Sequence, residues 1–250
     1  MFSFLERIPL VTKNLLLLNI VFYIVTLIFG SRGIQLIPIL GAHYVNSPLF
    51  EPYQIVTHFF MHDDQSFMHI FFNMFGLVMF GSLLEKIWGP KRFFIFYIAS
   101  AIGAFALYNL IGAYDLWKTK EALVALGYNT VELNDYLIHN VSFTYNSAHE
   151  GLLNTYFMKS LTPMVGASGA IFGIMAAFAY LFPNTELMLM FIPVPIKAKY
   201  FVSGYFLIEL YLSFQSIAGD SVAHLAHVGG AVVGFLLVLF WNKKNTQSFY

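Results

Sequence analysis

An all-α bundle of six membrane-crossing helices is the fold the sequence predicts, on three observations. The chain is 58% hydrophobic and only 10% charged, against about 25% charged in an average soluble domain. Its mean hydropathy is +0.69, which leaves too few charges to cover a water-facing surface. Six apolar segments, at about 14–30, 66–87, 92–113, 163–182, 199–216 and 222–241, approach the roughly 20 residues a helix needs to cross hydrocarbon.

The elements follow in order. Arg7 and Lys13 precede the first apolar run, and Gly30-Ser31-Arg32 follows it instead of a small-x-small cleavage site, so the run reads as a retained helix. Pro52 and Met61-His62-Asp63-Asp64-Gln65 mark a long irregular loop. Trp88-Gly89-Pro90-Lys91 reads as a tight turn between the second and third helices. The stretch from Tyr114 to Ser160 is polar, with Asp115, Lys118, Lys120, Glu121 and Glu132, and belongs in water. Within it, Lys118 to Leu126 suits a short amphipathic helix. Phe191-Ile192-Pro193-Val194-Pro195 breaks the next apolar run, because proline removes a donor and clashes inside a helix. One membrane domain over 1–250 is therefore expected, with an extramembrane insertion at about 114–160.

Orientation follows from basic residues near helix ends. With the N-terminus cytoplasmic, the inside holds Arg7, Lys13, Lys86, Lys91, Arg92, Lys197, Lys199, Lys243 and Lys244; the outside holds only Arg32, Lys118, Lys120 and Lys159. Both termini are then cytoplasmic, and a bacterial plasma membrane is the expected location. The 13 basic and 13 acidic residues leave no net charge and no nucleic-acid footprint. The absence of cysteine excludes disulfides, thiolate metal sites and a cysteine nucleophile.

Polar groups in hydrocarbon are expensive, and each calls for a reason. Three groups stand out: His69 and Asn73 in helix two, Ser168 in helix four, and His227 in helix six. With helix starts near Gln65, Pro163 and Ser221 and about 1.5 Å of rise per residue, they lie roughly 6, 12, 7 and 9 Å from one membrane face. All fall in one layer. A serine hydroxyl becomes an effective nucleophile when a neighbouring base takes its proton. Amide attack also needs donors aimed at the oxyanion, which a histidine ring, an asparagine amide and a backbone N–H supply. Gly169-x-x-x-Gly173 and Gly230-x-x-x-Gly234 allow close approach of helices four and six. Phe172, one turn below Ser168, is placed to pack on the imidazole.

Each feature also has a plainer reading. A serine in a Gly/Ala-rich membrane helix is usually a packing residue, and a lone intramembrane histidine a structural hydrogen-bonder. His58 and His62 have metal-like spacing, but no HExxH motif accompanies them, and a structural loop role is preferred. No metal or cofactor is expected. His224 rivals His227 as a base. Glu209 in helix five is either a functional carboxylate, a protonated one, or bonded to a neighbouring helix. Glu85-Lys86 anchors helix ends.

Taken together, the motifs resemble the rhomboid family of intramembrane serine proteases. Gly166-Ala167-Ser168-Gly169 matches its GxSG motif. Ala226-His227-Val228-Gly229-Gly230, then Gly234, matches AHxxGxxxG, and His69 to Asn73 matches HxxxN. Glu85 and Gly89 also fit, and order and spacing agree over about 50–110 and 160–240. The resemblance implies Ser168 as nucleophile and His227 as general base and acid, with no third acidic member. It implies an oxyanion hole from His69, Asn73 and the Ser168 N–H, and a cavity shaped by Gly166. It selects His227 over His224 through the following glycines. The implied partners are the lipid bilayer and single-pass membrane proteins, cut where their helix unwinds. Two departures are visible: Tyr53-Gln54 replaces the family's first-loop Trp-Arg pair, and the 114–160 segment is longer than in minimal members. A catalytically idle client binder and a small transporter are the competing functions.

Overall fold

The computed structural model describes residues 2–189, 192–215 and 223–244. The helices are α1 (Phe2–Arg7), α2 (Leu10–Gly30), α3 (Ile37–Leu40), α4 (Gln54–Thr57), α5 (Phe67–Gly76), α6 (Ser82–Trp88), α7 (Pro90–Ala125), α8 (Thr130–His139), α9 (Glu150–Leu161) and α10 (Ser168–Leu181). Two short strands follow, β1 (Glu186–Leu189) and β2 (Ile192–Lys197), then α11 (Ala198–Leu212) and α12 (His224–Lys244). A π-helical turn, Leu77–Gly81, joins α5 and α6 into one apolar rod. Among the described residues four helices are long and apolar enough to cross a membrane: α2, the α5–α6 rod, α7 and α12. Helix α10 is apolar but shorter, with 14 residues.

The packing is that of a lipid-solvated chain. In α2, Thr12, Asn19 and Thr26 recur every seventh position and are buried, while Leu17, Leu18, Val21, Ile24, Val25 and Ile28 are exposed. In water that pattern would be inverted; facing acyl chains, the polar groups turn inward to find partners. Asn19 Nδ2 donates to the Leu15 carbonyl at 2.7 Å, and Thr26 Oγ1 to the Phe22 carbonyl at 2.8 Å. The first turn of α2 has orphan N–H donors and a proline before it. The buried Glu85 of α6 accepts from Val11 N, Thr12 N and Thr12 Oγ1 at 2.8, 2.7 and 2.7 Å. One carboxylate thus ties the start of α2 to α6.

Helices α7, α10 and α12 form its centre. A Cβ on Gly230 would run into the Gly169 backbone, one on Gly234 into the Gly173 backbone, and one on Gly169 into Ala104 Cβ. Val233 of α12 fills the space beside Gly103 of α7. The small-xxx-small stripes therefore bring backbones into direct contact.

Several expectations are corrected. The third helix continues past residue 113 to Ala125 as one rod, because nothing between Tyr114 and Leu126 is a proline or glycine breaker. Lys118–Leu126 is not a separate amphipathic helix. The insertion is folded: α8 and α9 pack against the end of α7 around Leu116, Leu123, Leu133, Leu153 and Tyr156. Asn140, left-handed at φ 55°, closes α8. The fourth helix begins at Ser168 instead of Pro163. Met164 forms a β-bridge with Ala42, and Gly166 sits at φ 117°. The depth estimate for Ser168, which counted helical rise from Pro163, therefore fails. The proline-rich break contains antiparallel strands, with Glu186 opposite Lys197 and Leu187 opposite Ile196, so the chain is not purely helical. The expected start of helix six at Ser221 lies outside the described residues, as does Phe191.

A Gly230→Ala substitution should destabilise the protein by roughly 1–3 kcal/mol, because backbone on the facing helix cannot step aside. Gly204→Ala on α11, with nothing within 4 Å of the new Cβ, should be neutral or stabilising by up to about 1 kcal/mol. Thermal unfolding in detergent micelles measures both; equal midpoints would refute the close-approach argument.

Candidate active site

Ser168 is the first residue of α10, so its backbone N–H has no helical acceptor. The chain enters through a segment fixed by loop contacts: Ala42 and Met164 exchange hydrogen bonds at 2.9 and 2.8 Å, and Gly166 N donates to the His58 carbonyl at 3.0 Å. Gly166 needs its positive φ, and a Cβ there would lie 2.9 Å from His69 Nε2 and 3.5 Å from Ser168 Oγ. A side chain would fill the space between histidine and serine.

The hydroxyl and the imidazole meet. His227 Nε2 lies 2.7 Å from Ser168 Oγ. Phe172, one turn along α10, stacks on the His227 ring with centroids 4.4 Å apart and planes 9° apart. Gly169, Gly230 and Gly234 bring α10 and α12 close enough for this contact. His227 Nδ1 lies 2.8 Å from Glu209 Oε2, and His224 Nδ1 lies 2.6 Å from the same oxygen. His224 thus faces Glu209, and His227 is the histidine that reaches the serine.

His69 Nδ1 accepts the Asp63 N–H at 3.2 Å. An acceptor Nδ1 leaves the proton of the neutral ring on Nε2, the nitrogen that borders Gly166. Asn73 is buried one turn along α5, and its Nδ2 donates to the His69 carbonyl at 2.8 Å. An amide NH₂ carries a second proton, which that bond leaves available. His69, Asn73, Gly166, Ser168, Glu209 and His227 all line one cavity of about 920 Å³.

The first loop supports this wall. Gln54, buried where the family pattern has Arg, accepts from His43 N and Glu51 N and donates to the Ile39 and Leu49 carbonyls, all at 3.2 Å. Its neighbour Tyr53 is exposed. His58 Nδ1 lies 2.8 Å from the Gln54 carbonyl, and the His62 ring lies 5.2 Å from that of His69.

Among the described residues, the one His/Asp/Glu group compact enough for a metal is Glu209, His224 and His227, with donor atoms within 4.8 Å of one another. Tetrahedral ligands at about 2.0–2.1 Å from zinc would stand roughly 3.3 Å apart. The observed 2.6 and 2.8 Å contacts suit shared protons instead. Of the readings the sequence offers for Glu209, the bond to a neighbouring helix is the one seen; its histidine partners have no sequence signal beyond a carboxylate inside the apolar run Phe206-Leu207-Ile208-Glu209-Leu210.

The fold and cavity define a multi-pass α-helical membrane protein with a serine and a histidine paired at a pocket among its helices. The Rhomboid domain model matches residues 49–131 and 136–244, and the chain belongs to the rhomboid family. It is similar to the mitochondrial rhomboid protein 1 of Saccharomyces cerevisiae, 27% identical over 212 residues, covering 85% of this chain and 47% of that protein. It is also similar to the mitochondrial rhomboid-like protein 12 of Arabidopsis thaliana, 30% identical over 182 residues, 72% of this chain and 43% of that one. An uncharacterized mitochondrial rhomboid protein of Schizosaccharomyces pombe is 38% identical over 90 residues, 34% of this chain and 23% of that one. The chain thus spans less than half the length of the curated relatives it matches. Their names are mitochondrial, so they give no support to a bacterial plasma membrane.

Burial pushes the His58 imidazole down to about 4 and that of His62 down to about 3. Unfolded, both return to about 6.5 and bind protons that the fold refuses. Stability should therefore fall as pH drops from about 6.5 towards those values. The thermal midpoint in micelles should decline between about pH 7 and pH 5, with a flatter slope in a His58→Gln/His62→Gln variant; an unchanged slope would contradict the burial argument.

Proposed function

We propose that the chain is an intramembrane serine endopeptidase that cuts single-pass membrane proteins through Ser168 and His227. The single observation that carries this reading is the 2.7 Å contact between Ser168 Oγ and His227 Nε2, made between two helices inside an apolar bundle. Ser168 Oγ attacks the scissile carbonyl while His227 Nε2 takes its proton. The tetrahedral oxyanion accepts hydrogen bonds from the Ser168 N–H, the His69 Nε2–H and the second amide proton of Asn73. His227 then protonates the departing amine, and water hydrolyses the Ser168 ester by the same base.

Six crossings are part of the proposal: the four long helices, with α10 and α11 as two shorter ones. An even number leaves both termini on one side. The loops around Asp63, Asp64 and the α7–α9 insertion lie on the other, which puts Ser168 near that face and within reach of water. The substrate reading rests on the cavity. Phe72 and Phe75 of α5 and Phe201 and Tyr205 of α11 give it apolar walls, suited to a lipid-embedded segment. The substrate must arrive unwound, because an intact helix keeps its carbonyls hydrogen-bonded.

The test is cleavage of a model single-pass substrate by the full chain in detergent, with fluorophosphonate labelling of Ser168. Ser168→Ala should abolish both, and His227→Ala should lower both by about 10³-fold or more. Cleavage retained in both variants would overturn these roles. A folded wild-type chain that neither cleaves nor labels would favour a client binder.

A further inference from the structure

We propose that Glu209 is a positioning residue that extends the serine–histidine pair to a Ser168–His227–Glu209 chain; this rests on the protease reading above. The family resemblance implies two members and no acid. This chain carries a buried carboxylate on α11 whose Oε2 lies 2.8 Å from His227 Nδ1, on the far side of the ring from Ser168.

Proton placement follows from what each atom can do. An ionised carboxylate only accepts, so a hydrogen bond between His227 Nδ1 and Glu209 requires the proton on Nδ1. The neutral ring then has a bare Nε2, and the 2.7 Å contact on that side is a bond donated by the Ser168 hydroxyl. That is the one neutral tautomer in which His227 is a base for Ser168. Without the carboxylate, nothing else shown at Nδ1 selects it. Phe172 fixes the plane of the ring by stacking but is indifferent to which nitrogen holds the proton.

The same oxygen serves His224. Its Nδ1 donates to Glu209 Oε2 at 2.6 Å, so two imidazoles from successive turns of α12 hold one carboxylate of α11. This satisfies part of the cost of keeping a carboxylate in an apolar bundle. It also anchors Glu209, so that the carboxylate positions His227 instead of following it. When His227 takes the serine proton, the imidazolium forms beside a negative charge rather than alone in a low-dielectric interior.

The experiment uses the full chain in detergent, with kcat and KM for a model substrate and the rate of fluorophosphonate labelling at Ser168. Glu209→Gln places an amide against His227 that can donate to Nδ1 and stabilise the unproductive tautomer. Its kcat and labelling rate should fall about 10²–10⁴-fold with KM changed less than about threefold. Glu209→Asp, which restores a carboxylate, should recover at least about tenfold of that loss. A Gln variant within about threefold of wild-type kcat, or an Asp variant no better than Gln, would overturn the role. A readout on the unmutated chain guards against misfolded variants: the ring-nitrogen chemical shifts of ¹⁵N-labelled His227 should report the Nδ1-protonated tautomer, and the Nε2-protonated one would overturn the proposal. Failure of the unmutated chain to label would count against the protease reading itself, and this inference would fall with it. Wild-type labelling with an indifferent Gln variant would count against Glu209 alone.

Discussion

The structure depends on the backbone-to-backbone approach of α10 and α12. A serine hydroxyl and a histidine ring are short side chains, and they reach hydrogen-bonding distance across two helices only if the axes come unusually close. Ordinary helix pairs stand 8–10 Å apart, depending on the side chains between them. Here Gly169 faces Gly230 and Gly173 faces Gly234; a Cβ on Gly230 or Gly234 would meet backbone, and one on Gly169 or Gly173 would meet Ala104 or Ser100. Hydrophobic collapse does not drive this packing in lipid, where solvent and side chain are equally apolar. Steric fit has to, and the fit extends to α7, where Ala104 and Ser100 crowd the same glycines.

A second constraint follows from the first. Once the bundle is tight and its solvent is hydrocarbon, every inward polar group needs a partner. The chain meets this with a few long-range anchors. Glu85 of α6 holds the first turn of α2. Gln54 folds the first loop on itself, and the carbonyl of His58 holds Gly166 in the approach to Ser168. Glu209 gathers His224 and His227. Three of these are single side chains accepting or donating several bonds, which suits a chain with only 13 acidic and 13 basic residues.

Much of this was legible in the sequence, and the part that was not shares a cause. Apolar runs announce spanning helices because the bilayer imposes a length. Glycines at i and i+4 announce close packing, and His69 and Asn73 share a face for the same periodic reason. Periodicity is blind to where a helix begins inside an apolar run: Pro163 to Ala167 read as helix but form a bridge to Ala42 and a left-handed turn at Gly166. It is equally blind to continuation: the turn to polar residues after 113 predicts an end to the helix, although α7 runs on to Ala125. Pairings between helices are set by tertiary packing alone. Glu209 was visible as an anomaly, but nothing in its neighbours pointed to histidines 15 and 18 positions away.

The late start of α10 bears on the chemistry. Had the helix begun at Pro163, the Ser168 N–H would lie past the first turn and be bonded to a carbonyl four residues back. Beginning at Ser168, the helix leaves that N–H unspent and turns the positive end of its dipole towards the cavity. Both favour negative charge at the point where the proposed oxyanion would form, next to His69 Nε2. The extended approach through Gly166 is therefore more than a connection. It trades a turn of helix for a donor, and in a membrane such a trade survives only because Ala42 N takes the Met164 carbonyl that the Ser168 N–H would have bonded, while the Ala42 and His58 carbonyls accept from Met164 N and Gly166 N.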